Sequence, residues 1–181
     1  MQQEKLRATE VGIEAPFGWF IGGAIGGVVG SAIFGAVLWF ANPDIIHEVI
    51  PAVYGLEAGT AGWVFHLGHG LVLGIIFGFI ISRETILGAI ADEFDTEFID
   101  AIGLGNRIGL VGVTFGLAIW AVLPLAIAIA GAIGIVDDPE FPFAAVYSLF
   151  GHMLYGGLLG LLFALIVKIA PAAEAARSPF D

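Results

Sequence analysis

Three histidines lie inside long uncharged segments of the chain, and their side chains are the best suited to chemistry: His66, His69 and His152. A neutral imidazole can hold a metal ion or a haem iron, and it can exchange a proton near neutral pH. An ionisable side chain within a bilayer is costly, so it marks a functional site by default. The plainer alternative is that each ring, which comes early in its segment, bonds to water, a headgroup or a backbone carbonyl.

A haem held by two histidines is the sharpest functional hypothesis for these residues. In a bundle of four helices that alternate in direction, the second and fourth lie diagonally, and His66 or His69 then faces His152. Two facing imidazoles with glycines beside them suit axial ligation of a b-type haem. The arrangement resembles that of membrane cytochromes b, in which the second and fourth helices of a bundle supply the ligands. The resemblance covers only the three histidines and nearby glycines, and it implies a single-haem electron carrier.

Other chemistries have less support. A copper or zinc site would combine His47 with the three histidines and with Glu48 or Asp137, yet no spacing requires it. The chain has no cysteine, and its uncharged segments lack the carboxylates or lysine that proton and cation carriers place near the midplane. A small-solute channel would need a wet path along Thr114 and Tyr155, and no motif points to an enzyme.

Four segments long enough to cross a bilayer position these side chains. No Asp, Glu, Lys or Arg occurs in residues 17–41, 58–82, 108–136 or 141–167. A helix needs about 20 apolar residues to cross a hydrocarbon core of about 30 Å, and it satisfies its own backbone there. The chain is 59% hydrophobic and 13% charged, against about 25% charged residues in soluble domains. The sequence therefore predicts an all-α membrane protein, a bundle of four transmembrane helices.

The basic residues predict the direction of the crossings. All six lie before the first span, between the second and third, or after the fourth: Lys5, Arg7, Arg83, Arg107, Lys168 and Arg177. By the positive-inside rule, both termini and the central loop are cytoplasmic, and residues of about 42–60 and 137–142 face outward. We expect a multi-pass protein of the cell membrane.

Matched residues indicate that the chain is a tandem duplication of a two-helix unit. Residues 34–43 and 115–124 share F-G-x-x-x-W-x-x-x-P, and residues 66–80 and 152–166 share H-x-x-x-G-x-x-L-G-x-x-F-x-x-I. Each unit holds an even number of crossings, so the copies share one topology. The predicted parts are a first unit at 1–82 (spans at about 17–41 and 61–82), a connector at 83–107, and a second unit at 108–181 (spans at about 108–136 and 143–168).

Glycines four residues apart predict the faces along which the helices pack. These pairs are Gly70 and Gly74, Gly156 and Gly160, and Gly112 and Gly116. In lipid no hydrophobic force draws helices together, so close backbone approach and van der Waals contact hold such a bundle. The alternative is that these small faces make room for a flat ligand such as a porphyrin or a carotenoid.

Two connections have the spacing of amphipathic helices. Apolar residues recur at helical spacing after Pro43, and the connector at 83–107 carries an apolar row from Ile86 to Ile102 opposite an acidic face. We expect both helices to lie in the membrane interfaces. The central one would be a structural connector or, alternatively, a docking surface for a partner subunit.

The segments outside the spans are acidic, with a net charge of −11 and two lysines in the whole chain. Such surfaces are similar to those of proteins from haloarchaea, where multimolar salt screens the self-repulsion. The length, the four spans and the shared H-x-x-x-G-x-x-L-G resemble small uncharacterised membrane proteins of haloarchaea. That resemblance implies no activity, and no nucleic-acid partner is expected.

From the sequence we therefore expect a non-catalytic membrane protein that packs in the lipid bilayer with itself, as a homo-oligomer, or with a larger complex, as an accessory subunit. The b-type haem electron carrier is the first alternative, and the small-solute channel is the second.

Overall fold

The computed structural model describes residues 11–13, 15–92, 102–134, 146–167 and 169–171. The helices, numbered in chain order, are α1 (Gly18–Ala41), α2 (Ile50–Val53), α3 (Ala61–Ile81), α4 (Glu84–Ala91), α5 (Leu104–Ala132) and α6 (Val146–Ile166). α1, α3, α5 and α6 are each long and apolar enough to cross a membrane. The prediction of an all-α protein with four transmembrane helices is confirmed.

The third span differs most from its predicted limits. α5 begins at Leu104 rather than at 108, so Arg107 lies in its first turn. The Arg107 guanidinium donates from Nη1 to the carbonyl oxygen of Asp92 at 2.8 Å and from Nε to that of Ile102 at 3.0 Å. The charge thus stays at the end of the bundle, where it can bond to backbone oxygens. Further along, α5 continues through Pro124 to Ala132.

The four long helices form a bundle that is open along one side. α1 packs along α3 and α6, and α6 packs in turn along α5, so α3 and α6 lie diagonally, as expected. α3 and α5 touch each other much less, and their clearest contact joins the rings of Phe77 and Phe115, with centroids 5.3 Å apart. Large apolar side chains such as Leu165, 80% exposed, cover the outside, as a surface facing lipid requires.

Backbone contacts at glycine hold both helix pairs together. A Cβ added at Gly27 of α1 would collide with the carbonyl oxygen of Gly70 of α3, and one at Gly112 of α5 would collide with that of Gly156 of α6. Because even a methyl group does not fit, these helices approach as closely as small-residue faces allow. The six glycines predicted to pack are all buried: Gly70, Gly74, Gly112, Gly116, Gly156 and Gly160.

The two pairs are packed in the same register. Residues that the repeat alignment matches make matched contacts: Ser31 with Gly70 and Gly112 with Gly156; Gly35 with His66 and Gly116 with His152. His66 and His152 therefore occupy the same position relative to the helix contact in their own pairs. The contacts differ in one respect: a Cβ added at Gly35 would meet the ring of His66, whereas one added at Gly116 would meet the backbone carbonyl oxygen of His152.

A short helical cap closes one end of the bundle, which we call the α2 end. A π-helical segment (Ile45–Val49) runs directly into α2 and packs against α1 and α3. Its apolar side chains do not lie open on the bundle surface: Ile45 is 2% exposed, Ile46 is fully buried and Ile50 is 5% exposed. The predicted amphipathic spacing is therefore used to cover the core.

The other end, which we call the α4 end, carries α4 and the described residues just before α1 and just after α6. Strands β1 (Val11–Ile13) and β2 (Ile169–Pro171) pair antiparallel there, a feature that the sequence analysis did not predict. α4 packs against β1, α3 and α5 and buries Leu87 and Ile90. The chain before α1 and the chain after α6 thus meet at one end. Phe94 and Phe98 of the predicted connector helix lie outside the described residues.

Candidate functional site

A cavity of about 510 Å³ lies in the half of the bundle nearer the α2 end, on the side where α3 and α5 stand apart. Its walls come from all four long helices and are mostly apolar. The lining residues with polar side chains are Ser31, Tyr54, His66, His69, Tyr147, Ser148, His152 and Tyr155. The structure therefore brings the three predicted histidines to the wall of one cavity.

The cavity is covered at both ends and at its back. Ile45 and Tyr54, from the segment that crosses the α2 end, lie over it. Towards the α4 end, the rings of Phe77 and Phe115 contact each other one helical turn beyond the last lining residues of α3 and α5, and they close this end. α1 and α6, packed closely together, form the back wall.

The remaining side opens outwards between α3 and α5. Val72 of α3 and Val122 of α5 both line the cavity, and each is 56% exposed. Both helices are long and apolar enough to cross a membrane, so within the described residues this opening faces lipid. A molecule dissolved in the bilayer can therefore reach the cavity from the side.

His66 is held by α1. Its Nε2 lies 3.0 Å from the carbonyl oxygen of Ser31, and a carbonyl only accepts hydrogen bonds, so Nε2 carries the proton. The Cδ2 atom of the ring faces Gly35, where an added Cβ would lie 2.9 Å away. The edge formed by Nε2 and Cδ2 is therefore turned to α1. Nδ1, opposite that edge, is directed away from α1.

His152 is held by its own helix. Its Nδ1 lies 2.7 Å from the carbonyl oxygen of Ser148, one turn earlier in α6, so here Nδ1 carries the proton. A second proton would make the ring a cation, which is costly inside a bilayer. As neutral rings, His66 and His152 are in opposite tautomers. His66 keeps a lone pair on Nδ1, and His152 keeps one on Nε2.

The ring of Phe34 lies between these two histidines. Its centroid is 5.4 Å from that of His66 and 4.9 Å from that of His152, with both imidazoles in edge contact. Phe34 reaches this place because Gly151 has no side chain, and an added Cβ there would collide with the phenyl ring. A haem ligated by His66 and His152 would need the space that Phe34 fills.

His69 faces a different partner from the other two histidines. Its Nε2 shares a hydrogen bond with the hydroxyl of Tyr54, and the Tyr54 ring stacks on that of Phe65 with centroids 4.0 Å apart. Burial raises the pKa of the Tyr54 hydroxyl. His69 therefore ties α3 to the segment that covers the cavity.

Tyr155 joins the two diagonal helices. Its hydroxyl donates to the carbonyl oxygen of Gly70 at 2.9 Å, and the residue is 3% exposed. Thr114, the other residue of the channel hypothesis, is exposed and donates to the carbonyl oxygen of Leu110 in its own helix at 3.2 Å. The two hydroxyls do not share one path through the bundle.

The described part of the chain provides no complete set of ligands for the copper or zinc site. No group of three or more His, Asp or Glu side chains there is arranged to hold a metal ion. His47 is exposed on the π-helical segment and does not line the cavity. Asp137, the other suggested ligand, lies outside the described residues.

The histidines are recognisable in the sequence as candidate site residues, but the aromatic side chains that contact them are not. Phe34 belongs to the shared F-G-x-x-x-W pattern, yet nothing in that pattern shows that its ring separates two imidazoles. Tyr54 lies in a connection that offers no motif. Its pairing with His69 depends on how that connection folds back over α3.

No protein-family model, no curated protein and no solved structure matches this chain. The geometry of the cavity is therefore the main guide to its function.

Proposed function

We propose that this membrane protein binds an apolar molecule of the bilayer in the lateral cavity, and that it acts without catalysis as a carrier or as an accessory subunit of a larger membrane assembly. The observation that carries the proposal is a mostly apolar cavity that opens between two membrane-spanning helices. Its volume of about 510 Å³ lies within the range typical of ligand sites. A few polar groups on apolar walls are also typical of such sites, because the walls bind and the polar groups orient.

The proposal is tested by filling the cavity. Ala126 of α5 lines it, whereas Ala128, on the same helix, is exposed and lies outside the lining. We expect a photoreactive fatty alcohol that carries a diazirine in its chain to label Val72 and Leu123 in the unmodified protein. Ala126→Trp should largely abolish this labelling, and Ala128→Trp, which adds the same ring outside the cavity, should preserve it. Equal labelling of both variants would show that the cavity is not the binding site.

We also infer that the α4 end faces the cytoplasm. Arg83 and Arg107 lie at this end, and the β1–β2 pairing brings residues 11–13 and 169–171 together there. Cytoplasmic loops carry an excess of basic residues, which supports this orientation.

The absence of cysteine makes the orientation simple to measure. Single-cysteine variants Thr85→Cys, at the α4 end, and Glu57→Cys, at the α2 end, are treated in intact cells with a maleimide that cannot cross the membrane. We expect label on Glu57→Cys and none on Thr85→Cys until the cells are opened. The reverse pattern would invert the topology.

A b-type haem protein, the first alternative from the sequence, is less favoured, because Phe34 fills the space between His66 and His152 that a haem would need. A reduced-minus-oxidised absorption spectrum of the purified protein separates the two candidates. A sharp band in the b-type region that disappears in His152→Ala would favour haem. A flat spectrum would remove that candidate and leave the apolar-ligand site.

A further inference from the structure

We infer that the cavity selects a ligand that donates hydrogen bonds, namely a membrane quinol: an aromatic head with two para hydroxyl groups on an apolar tail. This inference rests on the proposed function, because it names the ligand class for the same cavity. It follows from the two histidine tautomers, from the ring nitrogen that each histidine leaves without a hydrogen-bond partner, and from the shape of the cavity.

The carbonyl partners determine which nitrogen remains available on each ring. The carbonyl oxygen of Ser31 accepts a hydrogen bond from Nε2–H of His66, and that of Ser148 accepts one from Nδ1–H of His152. The remaining nitrogens, Nδ1 of His66 and Nε2 of His152, hold lone pairs and can only accept. The site therefore offers two acceptors from two different helices, α3 and α6.

Neither of these two nitrogens is fully enclosed by the described part of the protein. Within the described residues, neither nitrogen has a second hydrogen-bond partner, although every fully buried side-chain nitrogen or oxygen there has one. The two nitrogens are therefore not sealed among protein atoms. Both side chains line the cavity, and Nδ1 of His66 is turned away from α1.

Two acceptors favour a head that donates. A quinone or ketone oxygen is itself an acceptor, so placing it against an imidazole lone pair leaves both groups without a proton to share. A hydroxyl group supplies that proton, and an unpaired polar group in an apolar site is costly. The same molecule should therefore bind better as the hydroquinone than as the quinone.

The arrangement favours two hydroxyl groups over one. The imidazoles of His66 and His152 both contact the ring of Phe34. A para-diol carries one donor for each imidazole, and its aromatic ring is suited to packing on the phenyl group. The hydroxyl groups of Ser31 and Tyr155 already donate to carbonyl oxygens, whereas those of Tyr147 and Ser148, which also line the cavity, can either donate or accept. A simple alcohol would itself satisfy only one imidazole.

The lateral opening provides a place for the tail. A quinol carries a long apolar chain that a cavity of about 510 Å³ cannot enclose. Between Val72 and Val122 the chain can pass directly into the surrounding lipid. The head is then held near the α2 end, under the cover of Tyr54.

The test measures binding of three radiolabelled probes to the full-length protein in lipid nanodiscs, with empty nanodiscs as the blank. The probes are decyl-hydroquinone kept reduced, the corresponding quinone, and decanol. We expect the hydroquinone to bind about tenfold or more tightly than the quinone, as two additional net hydrogen bonds would give. Decanol should bind more weakly than the hydroquinone.

Variants of single histidines test which residues cause the preference for the hydroquinone over the quinone. His66→Phe and His152→Phe should each bring the ratio of hydroquinone to quinone affinity towards one. His47→Phe, which changes an exposed histidine outside the cavity lining, should leave the ratio unchanged. Circular dichroism checks the folding of each variant, and if one histidine variant fails to fold, the other decides.

The failures of the two proposals are distinguishable. A quinone that binds as tightly as the hydroquinone, or decanol that matches it, would overturn the ligand class while the cavity remains a binding site. Binding of the hydroquinone that is unchanged in Ala126→Trp would overturn both. If none of the three probes binds above the blank, the proposed function itself fails.

Discussion

The two helix pairs, α1 with α3 and α5 with α6, pack in the same register, but their matched histidines form different hydrogen bonds. In both pairs a histidine precedes a contact glycine by one turn, His66 before Gly70 and His152 before Gly156. Yet His66 donates across the interface to α1, whereas His152 donates to its own helix. A residue matched in sequence and in backbone contact thus presents a different nitrogen in each pair.

The connections of the two pairs differ as well. α1 ends at Ala41, and the chain turns back through Ile45–Val49 to cover the cavity, whereas α5 continues through its matched proline, Pro124. One ring, Phe34, then lies between histidines from both pairs. A nearly symmetric scaffold can therefore carry a single asymmetric site.

The largest expected effect comes from breaking the shared register. Gly74→Leu in the first pair and Gly160→Leu in the second each place a side chain against the facing helix: an added Cβ at Gly74 would collide with the carbonyl oxygen of Gly23, and one at Gly160 would lie 3.0 Å from the Cα of Gly109. We expect each change to lower the free energy of unfolding by about 3 kcal/mol. Unfolding in increasing fractions of SDS, followed by circular dichroism, measures the loss.

Gly68→Leu is the matched control, because no heavy atom lies within 4 Å of a Cβ added there, and the change improves helix propensity in the same helix. It should leave stability nearly unchanged. Equal stability of Gly74→Leu and Gly68→Leu would show that the backbone contact does not hold the pair. If one of the two matched variants were tolerated and the other were not, the pairs would not share a register.

A smaller effect is expected from Tyr155, whose match in the first pair is His69. Tyr155→Phe removes a buried bond between diagonal helices and should lower the free energy of unfolding by about 1 kcal/mol. His69→Phe removes an exposed bond and should cost less, since water or headgroups can replace the partner. The same SDS titration compares them, and an equal or larger loss in His69→Phe would contradict this order.

The sequence carried enough information for the helices and their contact faces. Segments without charge have one stable form in lipid, so the limits of α1 and α3 followed from composition. Glycine at four-residue spacing has few uses in an apolar helix other than close approach, and a Cβ added at Gly112 would collide with the carbonyl oxygen of Gly156. The duplication and the salt-adapted surface stay predictions.

The site itself was only partly predictable. The histidines attracted attention because ionisable groups are rare in such segments, but a residue type does not specify a tautomer. The tautomer of each ring depends on the backbone carbonyl oxygens of Ser31 and Ser148. Every residue type has such an oxygen, so the sequence does not reveal these partners. The cavity depends on α3 and α5 standing apart, and helical periodicity does not show which neighbouring helices separate.

The most direct test of this account is to determine which nitrogen of each ring carries the proton, by ¹⁵N NMR of histidine-labelled protein in lipid bilayers. The chain has four histidines, so single histidine variants assign every signal. We predict two neutral rings at neutral pH, with the proton on Nε2 in His66 and on Nδ1 in His152. The same tautomer in both rings, or a charged ring at either position, would contradict the account.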